Sequence, residues 1–105
     1  MANYQLVLTT CAQTEDAHVI AKTLLEKKLA ACVNVLPQIE SFYMWQGKMV
    51  QDAEIKMFIK TQAVKTHVLI DTLKQIHPYD VPEIQVINIT DGNDEYFSWI
   101  DEVLA

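Results

Sequence analysis

Two runs of alternating polarity separated by one tight turn constrain this chain more than any other feature. Cys32 to Gln46 carries Val33, Val35, Ile39, Phe42, Tyr43 and Trp45, a β-branched and aromatic run that suits a pleated, half-buried surface. After Gln46-Gly47-Lys48 the alternation resumes, with Ile55, Met57 and Ile59 facing one way and Glu54, Lys56 and Lys60 the other, Phe58 falling among the polar set. The pattern predicts a β-hairpin. Each arm holds about 14 residues and spans roughly 40 Å or more when extended, whereas a domain of this length has a radius of gyration of about 13 Å. The hairpin must project beyond its own domain or wrap around it. Pro37, which has no N–H to donate, must sit at an edge or a bulge.

The remaining segments alternate between strand and helix. Tyr4 to Thr10 is rich in Leu, Val and Thr and reads as a short, largely buried strand. Thr14 can cap a helix whose first turn carries Glu15 and Asp16. Ala17, Ile20, Ala21, Leu24 and Leu25 stripe that helix, which should run to about Leu29. Val64 to Ile76 forms a second helix with Val68, Leu69, Leu73 and Ile76 inward, ended by His77-Pro78 because proline disfavours helical geometry in the residue before it. Glu83 to Thr90 is a further strand, Asp91-Gly92-Asn93-Asp94 a turn and cap, and Tyr96, Trp99, Ile100 and Val103 stripe a short final helix. The order βαββαβ plus one helix is the split βαβ arrangement, an α+β ferredoxin-like fold with an antiparallel sheet, in a single domain over residues 1–105.

That scaffold carries many functions, so individual residues must discriminate among them. An acylphosphatase would need a guanidinium to clamp the phosphoryl oxygens, and this chain has no Arg among its 8 basic residues. RNA recognition would need aromatics in a basic field, and the net charge is -6; nucleic acid is excluded as a partner. A heavy-metal chaperone would need Cys-x-x-Cys, but Cys11 and Cys32 lie far apart, with a predicted helix between. Two cysteines supply no disulfide framework and suit a reducing compartment. The N-terminus has no basic region followed by an apolar run, and no apolar stretch approaches the length of a membrane span. These features predict a cytoplasmic protein without a membrane partner. Phosphate loops, nucleophile elbows and His-Glu-x-x-His are absent, and no catalytic residue is assigned.

Two stretches stand out. One is Ala30-Ala31-Cys32-Val33-Asn34-Val35 followed by Ser41-Phe42-Tyr43-Met44-Trp45-Gln46-Gly47, and the other is His77-Pro78-Tyr79-Asp80-Val81-Pro82-Glu83-Ile84. With Ile59-Lys60-Thr61 and Tyr96-Phe97-Ser98-Trp99, the chain resembles the CutA family of divalent-cation tolerance proteins from Thr9-Thr10 to Trp99. The resemblance implies a cytoplasmic homotrimer of ferredoxin-like protomers, built like the PII signalling proteins and associated with copper and other divalent cations; the protein is expected to be non-enzymatic. Some members place a second His before the His-Pro pair and a Cys late in the first strand. Here those positions hold Ile76 and Thr9, so the inherited metal association is weakened.

The candidate residues follow. His77 lies within a few residues of Tyr79, Asp80 and Glu83, so nitrogen and oxygen donors converge in one loop. Capping the last carbonyls of the preceding helix is an equal use for that His. Cys11, at the end of the first strand, is the second metal candidate, a buried structural thiol being the alternative. Copper(II) is the divalent ion favoured by such donors, bound weakly and losing to protons at low pH. Trp45, with its aromatic neighbours near the hairpin tip, is expected to pack against another subunit. Trp45, Lys60, Tyr79, Asp80 and Glu83 are the candidates for lining a cleft between subunits. The leading expectation is a cation-binding trimer; the alternative is a PII-like module that binds a small anionic metabolite and signals its occupancy to a partner protein.

Overall fold

Each helical crossover skips one strand, and that single rule generates the architecture. The computed structural model describes residues 3–105. Its elements are β1 (Tyr4–Cys11), α1 (Thr14–Glu26), β2 (Cys32–Trp45), β3 (Lys48–Gln62), a 3-10 turn at Ala63–Lys65, α2 (Thr66–Ile76), β4 (Ile84–Ile89) and α3 (Asp94–Leu104). The sheet order is β2-β3-β1-β4 and every neighbouring pair is antiparallel. This is the expected ferredoxin-like α+β arrangement.

The long hairpin forms as its alternation requires. Gln46 at φ 50 and Gly47 at φ 78 make a two-residue turn with both central residues left-handed, the geometry whose twist matches the flanking strands. The register runs unbroken from Ile39↔Glu54 to Trp45↔Lys48. Between Leu36 and Ile39 it shifts, with Gln38 at φ 58. Pro37 thus occupies a bulge in an edge strand, where its missing N–H costs no ladder bond. The hairpin stretches the molecule to 45 Å against 26 and 22 Å in the other directions.

One face of the sheet builds the core. Val7 and Cys11 from β1 and Ile55, Met57 and Ile59 from β3 pack on Ala17, Ile20 and Leu24 of α1 and Leu69 and Leu73 of α2. Residues of the opposite parity, including Leu6, Leu8 and Phe58, point to the other face. There α3 covers only one end, where Phe97 stacks on Tyr4 at 4.5 Å and Ile100 and Leu104 pack with Ala31. Ile87, which pairs with Leu6, stays 46% exposed.

Local chemistry moves several helix ends from their expected places. α1 stops at Glu26 rather than about Leu29, because Lys28 turns left-handed at φ 55. Its N–H donates to the Leu25 carbonyl at 3.1 Å and that of Leu29 to the Leu24 carbonyl at 2.9 Å. This paired closure satisfies the last carbonyls and folds Leu29 into the core. Thr14 is the first helical residue rather than the cap; Gln13 takes that place without a side-chain bond. The α2 segment begins as a 3-10 turn. In α3, the Asn93 side chain accepts from the Glu95 N–H at 3.0 Å, a true N-cap.

Candidate functional site

Where β1 ends, the projecting hairpin and the loop from His77 to Glu83 face each other across a cleft of about 810 Å³. Phe42, Tyr43, Trp45 and Val50 from the hairpin form one wall, and Tyr79, Asp80, Val81 and Glu83 the other; Thr10 and Glu54 complete it. The volume falls within the range of small-molecule pockets, about 300 to 1,000 Å³.

Hydrogen bonds fix the polar side of this cleft. Lys56 meets Glu83 at 2.6 Å, and the Thr10 hydroxyl donates to the other Glu83 oxygen at 3.2 Å. Tyr79 donates its hydroxyl to Glu54 at 3.3 Å. Burial, then the Glu54 charge and the hydrogen bond to Glu54, push the Tyr79 phenol up to about 12, so at neutral pH it remains a donor. Tyr43 donates to Asp52 one step along the hairpin, and that bond comes first in raising the Tyr43 phenol. Glu54, Asp80 and Glu83 thus line the cleft, and the Lys56 ammonium reaches Glu83 from outside the lining.

His77 is not in the cleft wall but behind it. It is buried, its Nε2 donates to the Thr10 carbonyl at 2.8 Å, and its Nδ1 accepts the Tyr79 N–H at 3.1 Å. The two contacts define the neutral Nε2–H tautomer. They also tie the loop that carries Tyr79, Asp80 and Glu83 to the end of β1. Cys11 is fully buried in the core, with its thiol 3.7 Å from the Gln13 carbonyl. Burial first, then Asp16 and Glu54, push that thiol up, so the metal-binding thiolate is disfavoured. A closed copper centre built on His77 and Cys11 therefore does not fit this arrangement. Both imidazole nitrogens are engaged, the thiol is held protonated, and no group of three His, Cys, Asp or Glu able to hold a metal occurs among the described residues.

The structure brings Trp45, Tyr79, Asp80 and Glu83 together in the cleft and leaves Lys60 apart. Lys60 lies opposite Cys32 in the β2 to β3 register; its ammonium is 2.5 Å from the Asn34 side-chain oxygen and 3.8 Å from the Cys32 sulfur. The Lys that reaches a cleft residue is Lys56, paired with Glu83 and one of the three charges that the alternation of β3 puts on its polar face. Thr10 and Glu54 are equally absent from the candidates that sequence motifs supply. The Glu54 to Lys56 alternation carries the only sequence signal for either side chain, and it reads as a solvated strand face.

Fold and site together define a ferredoxin-like α+β protein with an acidic, aromatic-walled cleft beneath a projecting hairpin. Within that class the chain belongs to a single family, because residues 5–103 match the family described as CutA1 divalent ion tolerance protein. The divalent-cation tolerance protein CutA of Thermus thermophilus is 44% identical, over 93% of this chain and 95% of its own length. Human protein CutA is 43% identical over 90% of this chain; the match spans 52% of the human protein, about half its length. Among solved structures, CutA1 of Ehrlichia chaffeensis superposes with a TM-score of 0.95 at 35% identity, covering 100% of this chain and 98% of that one. A CutA from Archaeoglobus fulgidus, described as a periplasmic divalent cation tolerance protein, gives 0.92 at 42% identity, covering 97% and 99%.

Proposed function

We propose that this chain serves divalent-cation tolerance as a cytoplasmic homotrimer, acting by binding rather than catalysis, with cations held weakly in the cleft between hairpin and loop. The observation that carries the reading is the charge of that cleft, lined by Glu54, Asp80 and Glu83, of which Glu83 is paired with Lys56. Glu83 spends both oxygens on Thr10 and Lys56, which leaves Glu54 and Asp80 as the more available donors. His77 holds the loop in place and would join a metal only by surrendering one of its two hydrogen bonds. Carboxylate oxygens spread over two chain segments suit exchangeable binding rather than a permanent centre. The same charge disfavours the alternative of an anionic metabolite in this cleft.

Assembly is supported by the apolar surface that one protomer leaves open. Met44 is 64%, Trp45 63% and Met49 76% exposed at the hairpin tip, and the sheet face with Leu6, Leu8, Phe58 and Ile87 is covered only at one end. Large exposed patches of this kind mark protein interfaces, and a closed ring is the common way for identical chains to satisfy them. A subunit packed on the tip would turn the cleft into a site between protomers. Two free cysteines, one of them buried, accord with a reducing compartment.

Calorimetric titration of copper(II) and zinc(II) into the wild type and into a Glu54→Gln/Asp80→Asn double variant tests the binding. The expected result is affinity in the micromolar range or weaker for the wild type, with copper(II) ahead, and loss of most of it in the variant. Equal binding by the two proteins would refute the cleft as the cation site.

A further inference from the structure

The cleft has two halves of different chemistry, and a bare metal ion uses only one of them. Its polar half is acidic. Its other half is an aromatic surface in the single protomer, where Phe42 is 61% exposed and Tyr43 and Tyr79 line the same cavity. A small hydrated ion gains nothing from that surface, and no three potential ligands stand close enough among the described residues to dehydrate one.

We infer that the cleft of about 810 Å³ is shaped for an organic ammonium ion, an amine or quaternary ammonium whose apolar body lies on the aromatic wall while its charge faces Glu54 and Asp80. This deepens the cation-binding reading above and rests on it. Three features recommend the class. Phe42, Tyr43 and Tyr79 supply aromatic rings along the cleft, and the attraction of a cation to a ring's π face is the interaction by which aromatic cages hold quaternary ammonium groups. Glu54 is half-buried and, among the described residues, receives only the long Tyr79 bond, so its carboxylate still has acceptor capacity toward a positive group. No Lys is among the residues lining the cleft, and the nearby Lys56 is paired with Glu83 at 2.6 Å rather than with Glu54. Tyr79 links the loop wall to the hairpin, its hydroxyl donating to Glu54 at 3.3 Å. A volume of this size also exceeds what a single inorganic ion fills and matches that of drug-sized ligands.

The test compares charge at constant shape. A butyltrimethylammonium salt and an uncharged alcohol of the same size and branching are titrated by calorimetry into the wild type, Glu54→Gln and Phe42→Leu, with sedimentation confirming that each protein has the same assembly state. The wild type should bind the ammonium about ten-fold more tightly than the alcohol. Glu54→Gln and Phe42→Leu should each weaken the ammonium roughly five-fold while leaving the alcohol nearly unchanged. Two results would overturn the inference: equal binding of ammonium and alcohol, or no ammonium binding, as expected if a neighbouring subunit's side chains fill the cleft. A parallel copper(II) titration separates the two readings. Metal binding lost in the carboxylate variant, with no ammonium preference, removes the organic cation and keeps the metal; failure of both probes removes the cleft as a cation site altogether.

Discussion

Replacing His77 with Phe keeps an aromatic ring of similar bulk and removes both hydrogen bonds that tie the cleft loop to β1. The Thr10 carbonyl, on a residue only 5% exposed, would lose its 2.8 Å donor. An unsatisfied buried group of that kind costs about 1 to 3 kcal/mol. The Tyr79 N–H, part-buried and bonded at 3.1 Å, would lose a further ~1 kcal/mol. The expected total is about 2 to 4 kcal/mol. For a domain near this size each kcal/mol moves the melting temperature by roughly 4 to 8 °C. At fixed protein concentration, His77→Phe should therefore melt about 10 °C or more below the wild type. His77→Ala should fall further, because a void is added to the lost bonds. Calorimetric melting gives the magnitude, and amide exchange gives the location, since the Tyr79 N–H should exchange faster than amides in the α1 interior. A His77→Phe protein that melts within about 2 °C of the wild type would refute the anchoring role.

Other outcomes follow from the same geometry. Trp45→Ala should loosen the assembly and lower its melting temperature, because a Trp buried between subunits is worth about 3 to 5 kcal/mol; unchanged sedimentation upon dilution would count against it. Gly92→Ala places a Cβ 2.8 Å from the Phe97 ring, which itself stacks on Tyr4, so the ring must shift off that stack at a cost of about 1 to 3 kcal/mol, measurable by urea unfolding. Tyr79 is raised from 10.0 to about 12 in the folded protein, so its share of stability is intact below pH 10 and is lost as pH rises toward 12. Tyr79→Phe should flatten that alkaline limb of the stability profile. With a net charge of -6 and no Arg, no retarded band should appear with DNA or RNA at physiological salt.

Backbone periodicity made most of the fold legible. The Ile55, Met57 and Ile59 alternation places those residues in the core, and the mismatch between hairpin length and domain size foretells the 45 Å dimension. Helix ends were less legible because they depend on single dihedral angles: nothing in Lys27-Lys28 announces a left-handed residue at a position where Gly is usual. The site was legible as a loop but not as a network. His77 draws the eye as a metal donor, yet its partner is a main-chain carbonyl 67 residues away, and carbonyls carry no sequence signature. Lys56 and Glu83 sit 27 residues apart and meet only because β3 and the loop converge at the end of β1. Cys11 looks exposed at a strand terminus, but β1 runs on through it and carries its thiol into the core.

Sedimentation velocity of the purified protein at micromolar concentration bears most directly on the whole account, because the proposed assembly is what would cover the open sheet face and the apolar hairpin tip. The account predicts one species of three times the 12.0 kDa chain mass, persisting upon dilution through the micromolar range. A monomer under those conditions would contradict it, leaving the exposed Met44, Trp45 and Met49 without a partner.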